Sequence, residues 1–178
     1  MYENFVFGTF TGTGAIMTIE LGFVPDYFEI VNTSDAGSLW PMLKWFRGFT
    51  AAYALKLVVT TYSKITSGGI TAFAGEAPGK ALTGTFAVAL GGVAITGTST
   101  LFLTELKVGD IVCIDGMDVE ILAIASATAC TIKLPAEAAK TGKVGIRKTG
   151  RAPGVLVGAD ADLNVSGEAG YYMAFRKK

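Results

Sequence analysis

The middle of the chain, from Ile95 to Leu134, constrains the fold more than any other part of the sequence. Short apolar runs are separated there by tight polar turns, of which Asp115-Gly116 is the clearest hairpin signal. Cys130, Ile132 and Leu134 alternate with polar residues, as in a half-buried strand. The pattern predicts three or four short strands that form a small β-module of their own.

The flanks of this module have a different pattern and look like two pieces of one other domain. We therefore predict an all-β chain in two parts. The first is a discontinuous frame of residues 1–83 and 150–178, a jelly-roll-like β-sandwich with about eight strands. The second is a small β-barrel module, residues 84–149, inserted into the frame. An insertion of this kind suggests modular construction and does not suggest an active site.

Aromatic residues are concentrated between Leu39 and Phe49, where the sequence predicts a strand over 39–46. Pro41 would place that strand at the edge of a sheet, because proline cannot donate to a ladder. The aromatic residues Trp40, Trp45, Phe46 and Phe49 exceed what one short strand needs for a small core. They are interpreted either as core residues or as an exposed patch for subunit packing.

The last strand is predicted over Tyr171–Phe175 from its alternation. Tyr171, Met173 and Phe175 share one face of it. We expect that face to lie in the core of the frame, where three large side chains would be buried.

Composition argues against several classes of function. The chain has 15 basic and 15 acidic residues, so its net charge gives no general attraction for nucleic acid. No apolar run reaches the roughly 18 residues of a membrane span, and the N-terminal residues do not form a signal peptide. Histidine is absent, which removes the commonest general base and metal ligand. We expect no enzymatic activity, no catalytic residue, no cofactor and no resident metal.

Three short motifs carry only weak signals. The segment 75–81 resembles a phosphate-binding loop but has the wrong spacing and no hydroxyl after Lys80. Gly12-Thr-Gly14 lacks the third glycine of a dinucleotide site and is interpreted as a turn. Asp160, Asp162 and Asn164 alternate as at the start of a calcium loop, but later ligands are missing. This last segment is interpreted as an Asx-rich turn, with a weak cation site as the alternative.

Two cysteines, Cys113 and Cys130, each fall on a predicted strand of the module. They are interpreted as free core thiols. A disulfide would need their Cα atoms within about 7 Å, which paired strands could allow.

A run of basic residues follows the module's last predicted strand. Between positions 140 and 151 there are five basic residues and no acidic one. They are Lys140, Lys143, Arg147, Lys148 and Arg151. They are interpreted as a solvated basic edge or as a contact with an acidic neighbour in an assembly.

Two parts of the sequence resemble structural proteins of tailed-bacteriophage virions. Residues 22–32 and 158–176 look like a small β-sandwich of phage capsid-associated and fibre proteins. Residues 96–110 and 123–128 look like a β-module of phage tail and fibre proteins. The resemblance covers most of the chain and rests on glycines, turns and alternation.

The resemblance implies a non-enzymatic virion component. The expected role is decoration or cementing of the capsid surface, or a head fibre, as a homo-oligomer (dimer or trimer) bound to the major capsid protein or other virion proteins. The alternative is a tail, neck or baseplate component, or a fibre that binds a receptor or glycan. Trp40, Trp45, Phe46, Lys140, Lys143, Arg147, Lys148 and Arg151 are the expected assembly contacts, and neither nucleic acid nor membrane is an expected partner.

Overall fold

A computed structural model describes residues 2–34 and 40–177. The fold is nearly all β, with 55% of residues in strands and 2% in helix. The elements assigned within those two ranges are β1 (Tyr2–Thr11), β2 (Met17–Glu20), β3 (Tyr27–Asn32), β4 (Met42–Phe46), β5 (Tyr53–Val58), β6 (Thr61–Phe73), β7 (Lys80–Ala81), β8 (Thr85–Val88), β9 (Ala94–Thr98), α1 (Phe102–Glu105), β10 (Ile111–Ile114), β11 (Met117–Ser126), β12 (Ala129–Ile132), β13 (Lys140–Lys143), β14 (Gly145–Arg147), β15 (Gly154–Val157) and β16 (Ala169–Lys177).

The chain divides into two compact units. The first unit is Met1–Gly75 with Ala152–Lys178, and the second is Glu76–Arg151. The second unit starts earlier and ends later than the insert expected at 84–149. The added residues belong to it because β7 pairs with β14, and because Glu76 and Arg151 form an antiparallel bridge that brings its two ends together.

The first unit has one antiparallel sheet of eight strands, in the order β1-β16-β3-β4-β5-β6-β15-β2. One face of this sheet carries the core. Strands from both ends of the sheet contribute to a single cluster, from Ile19 and Val155 to Phe28 and Trp45. That face is therefore concave.

The second unit has its own eight-stranded antiparallel sheet, in the order β13-β8-β9-β12-β11-β10-β14-β7. The predicted hairpin turn at Asp115-Gly116 is confirmed: Ile114 pairs with Met117, and both turn residues have positive φ, 50° and 86°. Glycine suits the second of these positions because it has no Cβ to clash in the left-handed region. None of the described helices is long and apolar enough to cross a membrane.

The prediction of an edge strand around Pro41 is wrong. β4 begins at Met42, after the proline, and lies between β3 and β5 in the sheet. Pro41 needs no donor at that point, and its carbonyl accepts a hydrogen bond from Asn32 N at 3.0 Å. Leu39, the expected first residue of the strand, lies outside the described residues.

The expected face of the last strand is also wrong, although β16 itself is present. Ala174 is fully buried and Tyr172 packs against the core. Tyr171 is 50% exposed on the opposite side. The side chains of Met173 and Phe175 share that outward side with Tyr171. The strand therefore turns Tyr172 and Ala174 inward and Tyr171, Met173 and Phe175 outward.

We expect each unit to fold without the other, because each has its own sheet and its own buried cluster. Replacing Glu76–Arg151 by a short Gly/Ser linker should leave a folded first unit. Both tryptophans lie in this unit, so Trp45 fluorescence reports its folding. A deletion of 84–148 is the matched comparison: it should fold less well, since it keeps β7 but removes its partner β14. Failure of the first construction to give a cooperative transition would contradict the division.

Candidate assembly surface

The convex side of the first sheet carries a row of aromatic rings across four strands. Phe5 is opposite Phe175, Phe175 is opposite Tyr27, and Tyr27 is opposite Phe46. The Tyr27 ring lies 4.7 Å from the Phe175 ring and 5.1 Å from the Phe46 ring. The row continues beyond the strand to Phe49, whose ring centre is 5.4 Å from that of Phe46. Such pairs contribute roughly 0.5–1.5 kcal/mol each beyond their burial.

The second row has polar groups at its centre. Phe7 is opposite Met173, and the row continues through Glu29 and Lys44, whose charged groups are 3.6 Å apart. The Tyr27 hydroxyl donates a hydrogen bond to the Glu29 carboxylate. Burial and then this contact raise the pKa of Tyr27, so the phenol stays protonated. The middle of the surface thus carries one neutralised ion pair among apolar side chains.

The third row begins with Thr9 on β1, opposite Tyr171, and is apolar from Tyr171 onward. Tyr171 is opposite Val31 in the sheet, and Val31 is opposite Met42. Leu57 and Tyr62 continue the row on β5 and β6.

We call the outward side chains of β1, β16, β3, β4, β5 and β6 the aromatic face. Its most exposed members are Phe5 (63%), Phe7 (69%), Phe46 (45%), Tyr62 (58%) and Tyr171 (50%). From strand spacing, the face covers roughly 30 Å by 20 Å, or about 600 Å². Patches of about 300–600 Å² are the largest that typical monomers expose, and they are often functional.

Two strained residues border the aromatic face. Trp40 and Val59 have positive φ values of 40° and 58°, and both are exposed, at 62% and 56%. Each lies two residues beyond the paired positions Met42 and Leu57. A β-branched residue at positive φ is a real outlier, and such strain costs about 1–3 kcal/mol. For Val59 the fold itself explains the positive φ, because Val58 pairs with Thr61 and Val59 is the first residue of the two-residue hairpin turn between β5 and β6.

Trp45 is not available as an assembly contact. It is 1% exposed and lies in the core of the first unit. Alternation along β4 explains this result, because Leu43 and Trp45 point inward and Phe46 outward. Trp40 and Phe46 therefore remain on the surface, while Trp45 takes the core role that was the other interpretation.

The basic residues at 140–151 do not form an edge of free positive charge. Lys140 and Lys143 both lie 3.3 Å from the Asp115 carboxylate. Lys148 lies 2.6 Å from the Asp118 carboxylate. The acidic partners come from the β10–β11 hairpin, which sequence order does not place beside the basic run. These three lysines remain candidate contacts, but as half-neutralised surface pairs.

Arg147 is fully buried in the second unit and cannot contact another molecule. Its guanidinium is bonded to the Glu76 carboxylate and donates to the carbonyls of Thr149 at 2.9 Å and Glu105 at 2.8 Å. It holds together the two ends of the unit, because Glu76 opens the unit and Thr149 nearly closes it.

Arg151 is likewise buried, with 8% exposure. One of its guanidinium nitrogens lies 3.9 Å from the Asp110 carboxylate. The other donates to the Thr104 carbonyl at 3.4 Å. Both arginines are therefore removed from the expected set of assembly contacts.

Low pH should weaken the contacts that the Glu76 carboxylate makes with Arg147 and Lys80. Burial alone would raise the pKa of Glu76, but hydrogen bonds and charges from Lys80 and Arg147 outweigh it and lower the pKa. A lowered pKa stabilises the fold above the ordinary value of 4.5, and that stability is lost as the pH falls below it.

We expect hydrogen exchange in β10 and β11 to accelerate between about pH 5 and pH 3, beyond the intrinsic change. In the Glu76→Gln variant, β10 and β11 should be less protected from hydrogen exchange at neutral pH. Their exchange rates should also change less on acidification than in the wild-type chain. Glu120→Gln removes the same charge from a more exposed pair with Lys133 and serves as the control. Identical pH profiles for the two variants would contradict this role of Glu76.

In the first unit, the segment that resembles the start of a calcium loop binds a lysine through Asp160 and Asp162. The Lys56 ammonium lies 2.8 Å from the Asp160 carboxylate and also contacts Asp162. Burial alone would lower the pKa of Lys56, but the two carboxylates raise it. The Asn164 amide donates to the Gly158 carbonyl at 3.0 Å, and Asp162 N donates to the Asp160 side chain at 3.0 Å, which is an Asx turn.

Both cysteines are free thiols. Cys113 is half-buried on β10, and Cys130 is buried on β12. β11 lies between these two strands, so the cysteines are not cross-strand neighbours. Burial raises the pKa of Cys130 to about 11, which keeps this thiol protonated near neutral pH.

Among residues 2–34 and 40–177, no three His, Cys, Asp or Glu side chains are grouped to hold a metal ion. The phosphate-loop-like segment 75–81 turns into β7, and its Lys80 ammonium lies 2.5 Å from the Glu76 carboxylate. Comparison of the chain with protein families, curated proteins and solved structures found no match. The aromatic face is thus the feature on which a functional proposal rests.

Proposed function

We propose that this chain is a non-enzymatic structural protein of a tailed-bacteriophage virion. In this proposal it decorates or cements the capsid surface, or forms a head fibre, and binds the major capsid protein or other virion proteins. The sequence resemblance suggests the setting, and the aromatic face supplies the means of attachment.

One observation carries the proposal: the outward side of the first sheet exposes large aromatic side chains, although the inward side already has a core of its own that includes Trp45 and Phe28. Phe5, Phe7 and Tyr171 are 63%, 69% and 50% exposed, whereas Phe10 and Tyr172 on the same two strands pack against the core. Apolar and aromatic side chains supply most of the affinity in well-packed interfaces. Exposure of such side chains on β1, β16, β4 and β6 of one sheet is best explained by burial against a neighbour.

We further propose that the first unit is a jelly-roll-like sandwich and the second a small barrel. The concave sheet of the first unit supports this, because its two ends share one core. The continuous pairing from β13 to β7 supports a curled sheet in the second unit.

Copy number tests the proposed role. Quantitative mass spectrometry of the phage particles whose genome encodes this chain should find it in numbers comparable to the major capsid protein. Its absence from purified particles would overturn the proposal. Detection of only a handful of copies would support the second candidate below.

Loss of one aromatic ring from the face should reduce attachment. Phe46→Ala removes a ring that is 45% exposed and contacts Tyr27 and Phe49. Truncation of an interface anchor typically costs about 1–4 kcal/mol, so we expect particle-bound copies to fall several-fold under limiting protein. Leu134→Ala, at a 72% exposed position of the second unit, is the control. If the two variants bind to particles in equal numbers, Phe46 does not lie in the contact.

The second candidate is a tail, neck or baseplate component that binds a receptor or glycan. A groove of about 460 Å³ on the first unit favours it, lined by Phe49, Tyr53, Leu55 and Lys64 among others. Aromatic rings beside a cation suit the apolar face of a sugar. The Tyr53 ring is already covered by Lys64, whose ammonium lies 4.8 Å from the ring centre, so the capsid role is preferred.

A further inference from the structure

The four sheet edges of the molecule differ sharply in length. In the described part of the chain, β2 and β13 have four residues each and β7 has two, whereas β1 has ten. β13 also carries Lys140 and Lys143. Short and charged edge strands are devices that keep proteins from pairing edge to edge. These three edges are short throughout, whereas β1 has only an irregularity in register between Tyr2 and Asn4, beside Glu3, and is regular from Asn4 to Thr11.

The composition of β1 makes it suited to pairing. The strand contains no proline and no lysine, and Glu3 is its one charged residue. Its ladder with β16 runs without interruption from Asn4 to Thr11. Phe5 and Phe7 are the two most exposed aromatic residues of the aromatic face, at 63% and 69%.

We infer that two copies of this chain associate through antiparallel pairing of β1 with β1 of the second copy. The two sheets then form one continuous sheet, and the two aromatic faces form one surface. A two-fold axis through Val6 places Phe5 opposite Phe7 of the second copy, and Phe7 opposite Phe5. This register keeps outward side chains on the same face in both copies, as alternation requires, and it forms two aromatic cross-strand pairs.

A second copy suits this edge better than an unrelated strand. Antiparallel pairing about a two-fold axis is self-complementary, and cyclic dimers are the commonest oligomers. From Asn4 to Thr11 the strand has no charge, so the pairing sets no like charges against each other. The neighbouring registers that preserve alternation, centred on Phe5 or on Phe7, form only one Phe–Phe pair, because they place Phe5 against itself or Phe7 against itself.

The inference goes beyond the proposed virion role and fails separately from it. A monomeric chain found in abundance on particles would overturn the dimer and leave the role intact. A dimer that is absent from particles would overturn the virion role and leave the dimer intact.

Sedimentation equilibrium of the full chain tests the dimer. We expect the wild-type chain to be a dimer at concentrations of about 10–100 μM, a range in which modest interfaces are populated. Phe7→Lys places a charge on the edge and should weaken dimerisation by about tenfold or more. Leu90→Lys makes the same change at an equally exposed position (69%) of the second unit and should remain dimeric.

Cross-linking tests the register, and it decides the matter if Phe7→Lys does not fold. Val6→Cys should form an intermolecular disulfide on mild oxidation, because the two Val6 positions face each other across the axis. Ile16→Cys, near the other edge of the same sheet, should not, and the wild-type chain controls for Cys113 and Cys130. A monomeric or trimeric wild-type chain, an unchanged Phe7→Lys dimer, or equal cross-linking of Val6→Cys and Ile16→Cys would overturn the inference.

Discussion

Truncation of the chain after Gly170 should abolish folding of the first unit. The truncation removes nearly all of β16, which is the second strand of the sheet and pairs on both sides, with β1 and with β3. Without it, β1 has no partner strand, and β3 becomes an edge. The core also loses Ala174 and the packed ring of Tyr172. The free energy lost with a strand that pairs on both sides should exceed the roughly 5–15 kcal/mol by which whole domains are stable.

The measurement is Trp fluorescence during denaturant titration, with solubility as a second readout. We expect no cooperative transition for the first unit and retention of hydrogen-exchange protection in the second unit, whose sheet contains no residue of β16. Removal of only Lys177 and Lys178 is the control and should leave the transition nearly unchanged. A normal transition in the truncated chain would show that β16 is dispensable.

The second large effect is expected for Trp45→Ala. Trp45 is the largest fully buried side chain of the molecule's described part, at 1% exposure. Replacing a buried Trp by Ala removes apolar contacts and leaves a cavity, which typically costs about 3–5 kcal/mol. We expect the free energy of unfolding of the first unit to fall by this amount, measured by circular dichroism in denaturant.

Trp45→Phe separates packing from hydrogen bonding. Among the described residues, Trp45 Nε1 has no hydrogen-bond acceptor, so phenylalanine loses volume but no hydrogen bond. We expect a cost of about 1–2 kcal/mol, well below that of alanine. Trp40→Ala, at a 62% exposed position, is the control and should change stability little. If Trp45→Ala were as stable as the wild-type chain, its place in the core would be wrong.

The all-β class and the strongest turn were predictable because they depend on local chemistry. Asp115-Gly116 requires positive φ at two successive residues, and few residue pairs tolerate that. Alternation also located β16 and β4 to within a few residues. These features follow from interactions between neighbours in the chain.

Which face of a strand lies inside was not predictable from alternation alone. β16 has a tyrosine on each side, and the charged Arg176 shares a side with Tyr172, so alternation favoured the side of Tyr171 for the core. The expectation that larger side chains are buried chose the wrong side. The register of β16 with β3 decides the side, because it places Tyr172 and Ala174 opposite the core residues Ile30 and Phe28.

The fate of the basic run was not predictable either. Lys143, Lys148 and Arg147 find their acidic partners on the β10–β11 hairpin and at Glu76. These pairings join residues far apart in sequence, so only the strand order of the second sheet brings them together. A charge run in a β protein therefore says little about net surface charge until the topology is known.

The proposal that the aromatic face attaches this chain to a virion is tested most directly by an electron cryo-microscopy reconstruction of the particle. The account predicts density for the first unit on the capsid, with Phe46 and Tyr171 packed against a neighbouring protein. The same reconstruction with Phe46→Ala protein should show reduced occupancy. Density in which the aromatic face points to solvent, while another surface makes the contact, would contradict the account.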